Sequence, residues 1–308
     1  MPTFANTSET TFAFVPETTL GTTPTSPSFQ KLRITSEGLD YNINNTTSNE
    51  IRPDADISDL IQVGANVTGD FSFELSYGSE FDTIFEHALR GAFASSRLDA
   101  GTDKKSLTFE KTFEVGSPDE YFRFEGCRVG QLSMSVQANS VITGTVSVNG
   151  LSSSNTTSEL SGATYTDGNT NDVMAAPDAA NITVGSTSGT LYFTDLSFQV
   201  NNNLRQQNAI GSLAAVGIGY GIREVTGSMT AYFDATSGQM YDDFVAGTEA
   251  SLSFELSDGT NTYTVNFPRI KYQSGRVVAG GNNQDVLVEM QFQALYDSTE
   301  QTSIYLNN

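Results

Sequence analysis

The chain is poor in the residues that most chemistry needs. Its 308 residues include one cysteine, one histidine and no tryptophan, and 15 lysines and arginines stand against 36 aspartates and glutamates. A lone Cys127 excludes an intrachain disulfide and any cysteine-built zinc site, so the fold must hold by burial and sheet pairing; the residue itself reads as a small buried hydrophobe in a strand. A lone His87, beside an apolar helical stripe, reads as a partly exposed helix residue. It leaves acid–base and nucleophilic catalysis without the near-neutral group they use most, and no Gly-x-Ser-x-Gly elbow accompanies it. Carboxylate pairs of the glycosidase kind can be drawn in so acidic a chain, but without tryptophan sugar stacking falls to Tyr and Phe. The net charge of −21 is spread along the chain with no basic stripe, a surface that repels phosphate backbones and argues against specific nucleic-acid binding. No apolar run approaches membrane-spanning length, and Met1-Pro2-Thr3-Phe4-Ala5-Asn6 has neither the basic start nor the apolar core of a secretory signal, so a cytoplasmic site of synthesis and no membrane partner are expected.

What is present is a β-rich unit that occurs twice in the same order. Val67-Thr68-Gly69 opens an alternating run (Phe71, Phe73, Leu75), followed by a helical stripe (Phe81, Ile84, Phe85, Ala88, Leu89) and then Ser106-Leu107-Thr108-Phe109-Glu110. Val225-Thr226-Gly227 leads through Met229 and Tyr232 to a shorter stripe (Tyr241, Phe244, Val245) and then Ser251-Leu252-Ser253-Phe254-Glu255. The offsets are 158 for the first motif and 145 for the second, so the copies differ mainly in the loop between helix and strand. A repeated β-domain suggests a chain that builds something. With 37% hydrophobic residues the length suffices for two cores of ordinary domain size. The fold class expected is mainly β: two tandem β-sandwich or barrel domains, each flanked by one short helix.

Residues 1–28, rich in Thr, Ser and Pro, read as an extended arm whose Phe12, Phe14 and Val15 dock on a neighbour or on this chain's own sheet. Copy one spans 29–150, with strands expected at 63–76, 106–114, 121–126, 130–137 and 141–149. Turns are signalled at Gly116-Ser117-Pro118-Asp119 and at Gly126, and a helix over 79–90. Residues 151–187 read as a linker or insertion, 188–298 as copy two and 299–308 as a C-terminal tail. The polar stretch Asn44–Gln62 is long for a structureless connection inside a compact domain, and such segments are usually functional or ordered by a partner. Its counterpart in copy two covers about 201–217. These stretches supply the candidate contacts between subunits: Asn44, Asn49, Glu50, Ile51, Arg52, Asp54, Asp56 and Asp59, then Asn202, Arg205 and Gln207. Asp54-x-Asp56-x-x-Asp59 lacks the central glycine and terminal glutamate of a calcium loop and reads as a solvated acidic loop. No catalytic residue, metal ligand or cofactor is assigned, and the chain is not expected to be an enzyme. Along the clearest strand, Val286 to Tyr296, apolar residues alternate with Glu289, Gln291 and Gln293, a half-buried sheet pattern.

The stretch Glu50-Ile51-Arg52-Pro53-Asp54, followed by Val63, Val67-Thr68-Gly69, an alternating strand and a short helix, resembles the tail tube proteins of long-tailed bacteriophages, most specifically over residues 30–92. The resemblance implies sheets that join those of neighbouring subunits into rings, stacked through loops and arms into a hollow tube that conducts DNA without binding it specifically. It implies a virion-tail location after assembly in the host cytoplasm, and tape-measure and tail-terminator proteins as partners. With two copies per chain, three chains would complete a pseudo-sixfold ring. Glu74, Glu289, Gln291 and Gln293 are the candidate lumen positions, on a wall expected to be acidic. A non-catalytic β-sandwich binding module, an adhesin or carbohydrate binder on a virion or cell surface, is the alternative.

Overall fold

The computed structural model of the chain describes residues 4–116, 118–185 and 187–308. Ser117 of the expected turn, the first three residues of the arm and residue 186 of the expected linker lie outside the described residues. Repeat one comprises β1 (Thr11–Glu17), β2 (Ser28–Lys31), β3 (Ser36–Glu37), β4 (Asp40–Thr47), β5 (Leu60–Glu74), α1 (Ser79–Leu89), β6 (Arg97–Asp99), β7 (Ser106–Phe113), β8 (Glu120–Gln137) and β9 (Thr143–Gly150). A connecting stretch carries β10 (Ser152–Thr156), β11 (Thr164–Thr166) and β12 (Ala179–Val184). Repeat two comprises β13 (Phe193–Asn201), β14 (Arg205–Gln207), β15 (Gly217–Gly219), β16 (Glu224–Tyr232), α2 (Ala235–Ala246), β17 (Glu249–Ser257), β18 (Thr262–Ala279), β19 (Val286–Ala294) and β20 (Tyr305–Asn307). The chain is therefore mainly β, with one α-helix in each repeat.

The duplication extends to the backbone irregularities. In β8 the register against β9 slips between Val129 and Gln131, and in β18 it slips against β19 between Tyr272 and Ser274. Nearer their starts, β8 slips against β7 between Phe124 and Cys127, and β18 against β17 between Phe267 and Ile270. These bulges let one long strand serve two sheets, because an extra residue bends the strand and raises its twist. The first half of each pairs with an outer strand (β7 or β17), the second half with an inner one (β9 or β19). The same ladders place Leu252 where Phe109 stands, so the Ser-Leu-x-Phe-Glu match is displaced by two residues, a slip that keeps every side chain on its face. The Val-Thr-Gly match is exact in position and has a steric cause. A Cβ on Gly69 would lie 2.2 Å from the carbonyl oxygen of Gly38, and one on Gly227 would lie 2.6 Å from that of Ser197, the same neighbour in the other repeat.

The two repeats fuse edge to edge. The antiparallel order β4–β5–β9–β8–β13–β16–β19–β18 runs through both, and the seam is the ladder of Gln131–Gln137 on Asp195–Asn201. The cores merge as well. α1 buries Phe81, Ile84, Phe85, Ala88 and Leu89, and Phe85 meets Tyr263 of β18 edge-on at 5.4 Å, while the Tyr263 hydroxyl donates to Asp82 at 2.8 Å. One contiguous hydrophobic cluster results, where length alone suggested two.

Three sequence expectations are corrected, and a fourth, the docking of the arm, is decided between its alternatives. Gly126 is no turn: β8 continues through it, with Gly126 at φ 68 as a bulge residue, pressed so closely on Leu151 that a Cβ would overlap it. Asn44–Gln62 is not structureless, because β4 and β5 pair from Asp40/Thr68 out to Thr47/Leu60 and only residues 48–59 form the connecting loop. Of the two dockings expected for Phe12, Phe14 and Val15, the structure takes the one on this chain's own sheet. β1 pairs along its whole length with β7, Phe12 and Phe14 enter the main core, and Val15 joins Ala13 and Phe29 in a smaller one. Glu17 anchors its end by accepting from Gly21 N, Ser106 Oγ, Thr108 Oγ1 and Gly126 N. His87 is buried, not partly exposed, with its Nδ1 2.7 Å from the Thr83 carbonyl oxygen. The connecting stretch is built into the sheets, β10 on β8, β11 on β2 and β12 on β17, and the C-terminal β20 pairs with β6 of repeat one and β18 of repeat two.

Candidate functional site

The inner eight-strand sheet has an apolar face on the core and a face of small polar side chains that meet in register. One row runs Glu74, Thr143, Ser135, Ser197, Ser228, Gln291, Ser274; the next runs Ser72, Thr145, Ser133, Gln199, Thr226, Gln293, Lys271. Neighbours are hydrogen-bonded to each other: Ser72 to Thr145 at 3.0 Å, Ser197 to Ser228 at 2.8 Å, Ser274 to Gln291 at 2.9 Å and Gln273 to Gln293 at 2.8 Å. Such cross-strand pairs hold the face flat and satisfied without projecting charge. Glu74, Glu289, Gln291 and Gln293, read from the sequence as lumen candidates, all lie on this face. Its charges are scattered: Glu74 and Asp70 on β5, Asp195 at the start of β13, Glu224 at the start of β16, Lys271 on β18, and Glu289, which accepts from Arg276 Nε at 2.8 Å. Between Glu74 and Lys271 the two rows are hydroxyls and amides, a pattern that strand periodicity could not reveal because it depends on which strands become neighbours.

The sheet ends in two incomplete edges. Among the described residues β4 pairs with β5 alone, and from Ser274 to Ala279 β18 pairs with β19 alone. At the seam the corresponding residues are covered: Met134 of β8, the equivalent of Val277, and Asn202 just past β13, the equivalent of Ile43, are both buried. At the edges Val277 is 39% exposed and Ile43 40%, although both point to the core side. α2 repeats the imbalance. α1 is sealed by repeat two, whereas α2 buries only Ser237 and Met240 and leaves Val245 69% exposed. An extended, partly apolar sheet edge is a template for another strand.

The two ends of the sheet along the strand direction differ. The β4–β5 hairpin projects from one end with Ile51 fully exposed, Ile57 73% and Leu60 62% exposed, and the loop between β14 and β15 carries a fully exposed Ile210 at the same end. Ala65 N donates to the Leu213 carbonyl at 2.9 Å, so this second loop leans on the base of the first hairpin. At the opposite end Tyr192, Tyr232, Phe233 and Val286 form an exposed apolar patch, linked by bonds from Tyr232 N to the Tyr192 carbonyl and from Phe233 N to the Val286 carbonyl. Exposed apolar groups are thus clustered at both ends, a composition common on protein–protein contact surfaces.

The remaining contact candidates fall on these projections, with one exception. Arg52 clasps Asp54 with two bonds, Nε to Oδ1 at 3.1 Å and Nη2 to Oδ2 at 2.7 Å, which hold the Asp54 carboxyl below the usual carboxylate range; Glu50 lies 4.0 Å from the same guanidinium. Asp56 N donates to Asp54, Asp59 caps Leu60 N, and Asn44 and Asn49 are exposed on the hairpin. Arg205 reaches the Tyr220 carbonyl at 3.2 Å, and Gln207 pairs with Gly217. Asn202 is the exception: it is fully buried, and its Nδ2 donates to the carbonyls of Ala88 and Val129. Its position directly after β13, beside the bulge in β8, makes it a brace of the seam and no surface contact. Ile51 was among the candidates, whereas Ile57, Leu60, Ile210 and the exposed edge of β18 were missed; an isoleucine inside a polar loop, as at Ile57 and Ile210, was the available signal. Among the described residues no three His, Cys, Asp or Glu side chains converge on a point where a metal would sit, and no helix is long and apolar enough to cross a membrane.

A family model described as phage tail tube protein matches residues 7–294, nearly the whole chain. No curated protein matches it.

Proposed function

The chain belongs to the phage tail tube protein family, a structural and non-catalytic family, and from that premise we propose that three copies close into a ring of six equivalent domains and that rings stack into the tail tube of the virion. The observation that carries this is the internal seam. One copy of the repeat-to-repeat junction is made inside the chain by β8 and β13, and the same junction is left half-made at each end of the sheet, on β18 and β4. A heterologous contact repeated head to tail closes when the rotation allows it, and three chains supply six equivalent places.

Three eight-strand sheets give a 24-strand barrel, and at about 4.8 Å per strand its diameter is roughly 37 Å before strand tilt widens it. The polar face lines its interior. Three chains carry three times the −21 of one chain, yet the middle of the wall is mostly hydroxyl and amide, with Lys271 and the Glu289-paired Arg276 as its cations among scattered acids, so phosphates meet neither a basic stripe to hold them nor a dense negative lining. DNA passes without the multiple Lys and Arg contacts that make protein–DNA complexes persistent. In the axial direction the isoleucine-bearing tips of one ring seat on the Tyr192, Phe233 and Val286 patch of the next. By the same reading the tube assembles in the host cytoplasm, a tape-measure protein occupies the growing lumen, and a terminator protein covers the exposed end.

Electron microscopy of the purified chain tests the reading. End-on views of tubes are expected to average with threefold symmetry and six lobes. Rings of six whole chains would refute the trimer, and a chain that stays monomeric at all concentrations would favour the binding-module reading.

A further inference from the structure

We propose the register of the joint between subunits: the exposed edge of β18 in one copy pairs antiparallel with β4 of a second copy, Asp40 opposite Arg276, Tyr41 opposite Gly275 and Asn42 opposite Ser274. The inference rests on the ring reading, and the partner is another copy of this chain. The register follows from two equivalences between the repeats. β4 faces β5 as β13 faces β16, since Asp40 lies opposite Thr68 and Gln199 opposite Thr226 within the matched Val-Thr-Gly segments. β18 faces β19 as β8 faces β9, with bulges at the same places. The seam pairs Gln199 with Ser133, Val200 with Leu132 and Asn201 with Gln131. Substituting equivalents yields the three pairs above.

The side chains found in this register are complementary, although nothing in its derivation used their chemistry. Asp40 and Arg276 are both exposed on the polar face, and opposite charges directly across a ladder stabilise it, whereas like charges destabilise it. On the core face a half-buried Tyr41 meets Gly275, over which Met290 and Phe244 already close to about the distance of a Cβ contact, so the ring finds an apolar surface of those two side chains to pack on. A slip by two residues in either direction puts Asp40 against Ser274 or Val278 and loses both matches. Lys111 bounds the ladder. Its Nζ bonds the Leu39 carbonyl at 2.5 Å and pairs with Glu37, so the edge backbone is occupied below Asp40 and open above it. That clasp confines pairing to one stretch, as charged groups at sheet edges commonly do.

Cysteine pairing provides the test. Residues directly opposite in an antiparallel ladder have Cα atoms about 4.5–5.5 Å apart, within reach of a disulfide. The native Cys127 is fully buried, with its thiol pushed up by desolvation, and does not compete. A chain carrying Asn42→Cys and Ser274→Cys, assembled and then oxidised, is expected to run as a closed covalent trimer on a non-reducing denaturing gel, and the displaced pair Asn42→Cys with Arg276→Cys as monomer. In parallel, Asp40→Arg alone is expected to raise the protein concentration needed for rings about tenfold, and Asp40→Arg with Arg276→Asp to restore it. Rings that form normally but cross-link through the displaced pair, or through neither, would overturn the register and leave the tube reading standing. Absence of rings from the unmodified chain would overturn both.

Discussion

Removing the apolar tips of the hairpin should separate ring stacking from folding. The perturbation is the double substitution Ile51→Ser with Ile57→Ser. Both side chains lie in the 48–59 loop beyond the last β4–β5 pair, Thr47 with Leu60, and neither belongs to the core cluster. Urea unfolding of the free chain should therefore move by no more than about 0.5 kcal/mol, the range of ordinary surface changes. The stacked state is different. Burying an isoleucine contributes about 1.5–3 kcal/mol, so six of them in a three-chain ring contribute roughly 9–18 kcal/mol to each ring-on-ring contact. Association itself costs about 4–15 kcal/mol in lost translation and rotation, so the tips decide the sign of the balance. The expected outcome is a folded chain that still closes rings but gives no long tubes, scored by pelleting and by negative-stain microscopy at matched concentration. Tubes of normal length from the double variant, at the concentration that suffices for the unmodified chain, would refute the assignment of the tips to the axial contact.

Phe14 lies in the core on a strand that the sequence presents as an arm, so Phe14→Ala is expected to destabilise the free chain by about 3–5 kcal/mol, read from the urea midpoint. For the same reason limited proteolysis should spare residues 11–17 in monomer and tube alike; rapid loss from the monomer would contradict the β1–β7 ladder. His87, the only histidine, has its pKa lowered from 6.5 to about 4, chiefly by burial. Below pH 6.5 the unfolded chain takes up a proton that the folded chain refuses, so this contribution to stability is intact above pH 6.5 and declines as pH falls toward 4, by about 3 kcal/mol over the window. The two imidazole C–H resonances of this single histidine should not titrate above about pH 5, and His87→Gln should flatten that part of the stability profile.

How much of this was legible in the sequence depends on the range of the interaction. Alternation along a strand is local, so the apolar face of Val286 to Ala294 and the helical stripe of α1 could be read directly, and so could the repeat, because the same local problem was solved twice: a glycine at 69 and at 227 where a neighbouring carbonyl leaves no room for a Cβ. The scarcity of cysteine was equally local: a single cysteine allows neither an intrachain disulfide nor a cysteine-built zinc site whatever the fold. What alternation does not contain is the identity of the neighbour across the ladder. That Ser135 meets Ser197, that β1 closes on β7, and that α1 is sealed by Tyr263 all join residues more than fifty positions apart. A period of two says which side chains share a face and is indifferent to which strand lies alongside. Only the tertiary structure decided that the polar residues form one continuous wall, that Asn202 braces the seam, and that the seam is left half-made on β4 and β18, because each of these is a property of strand order, set by burial and backbone pairing over the whole chain.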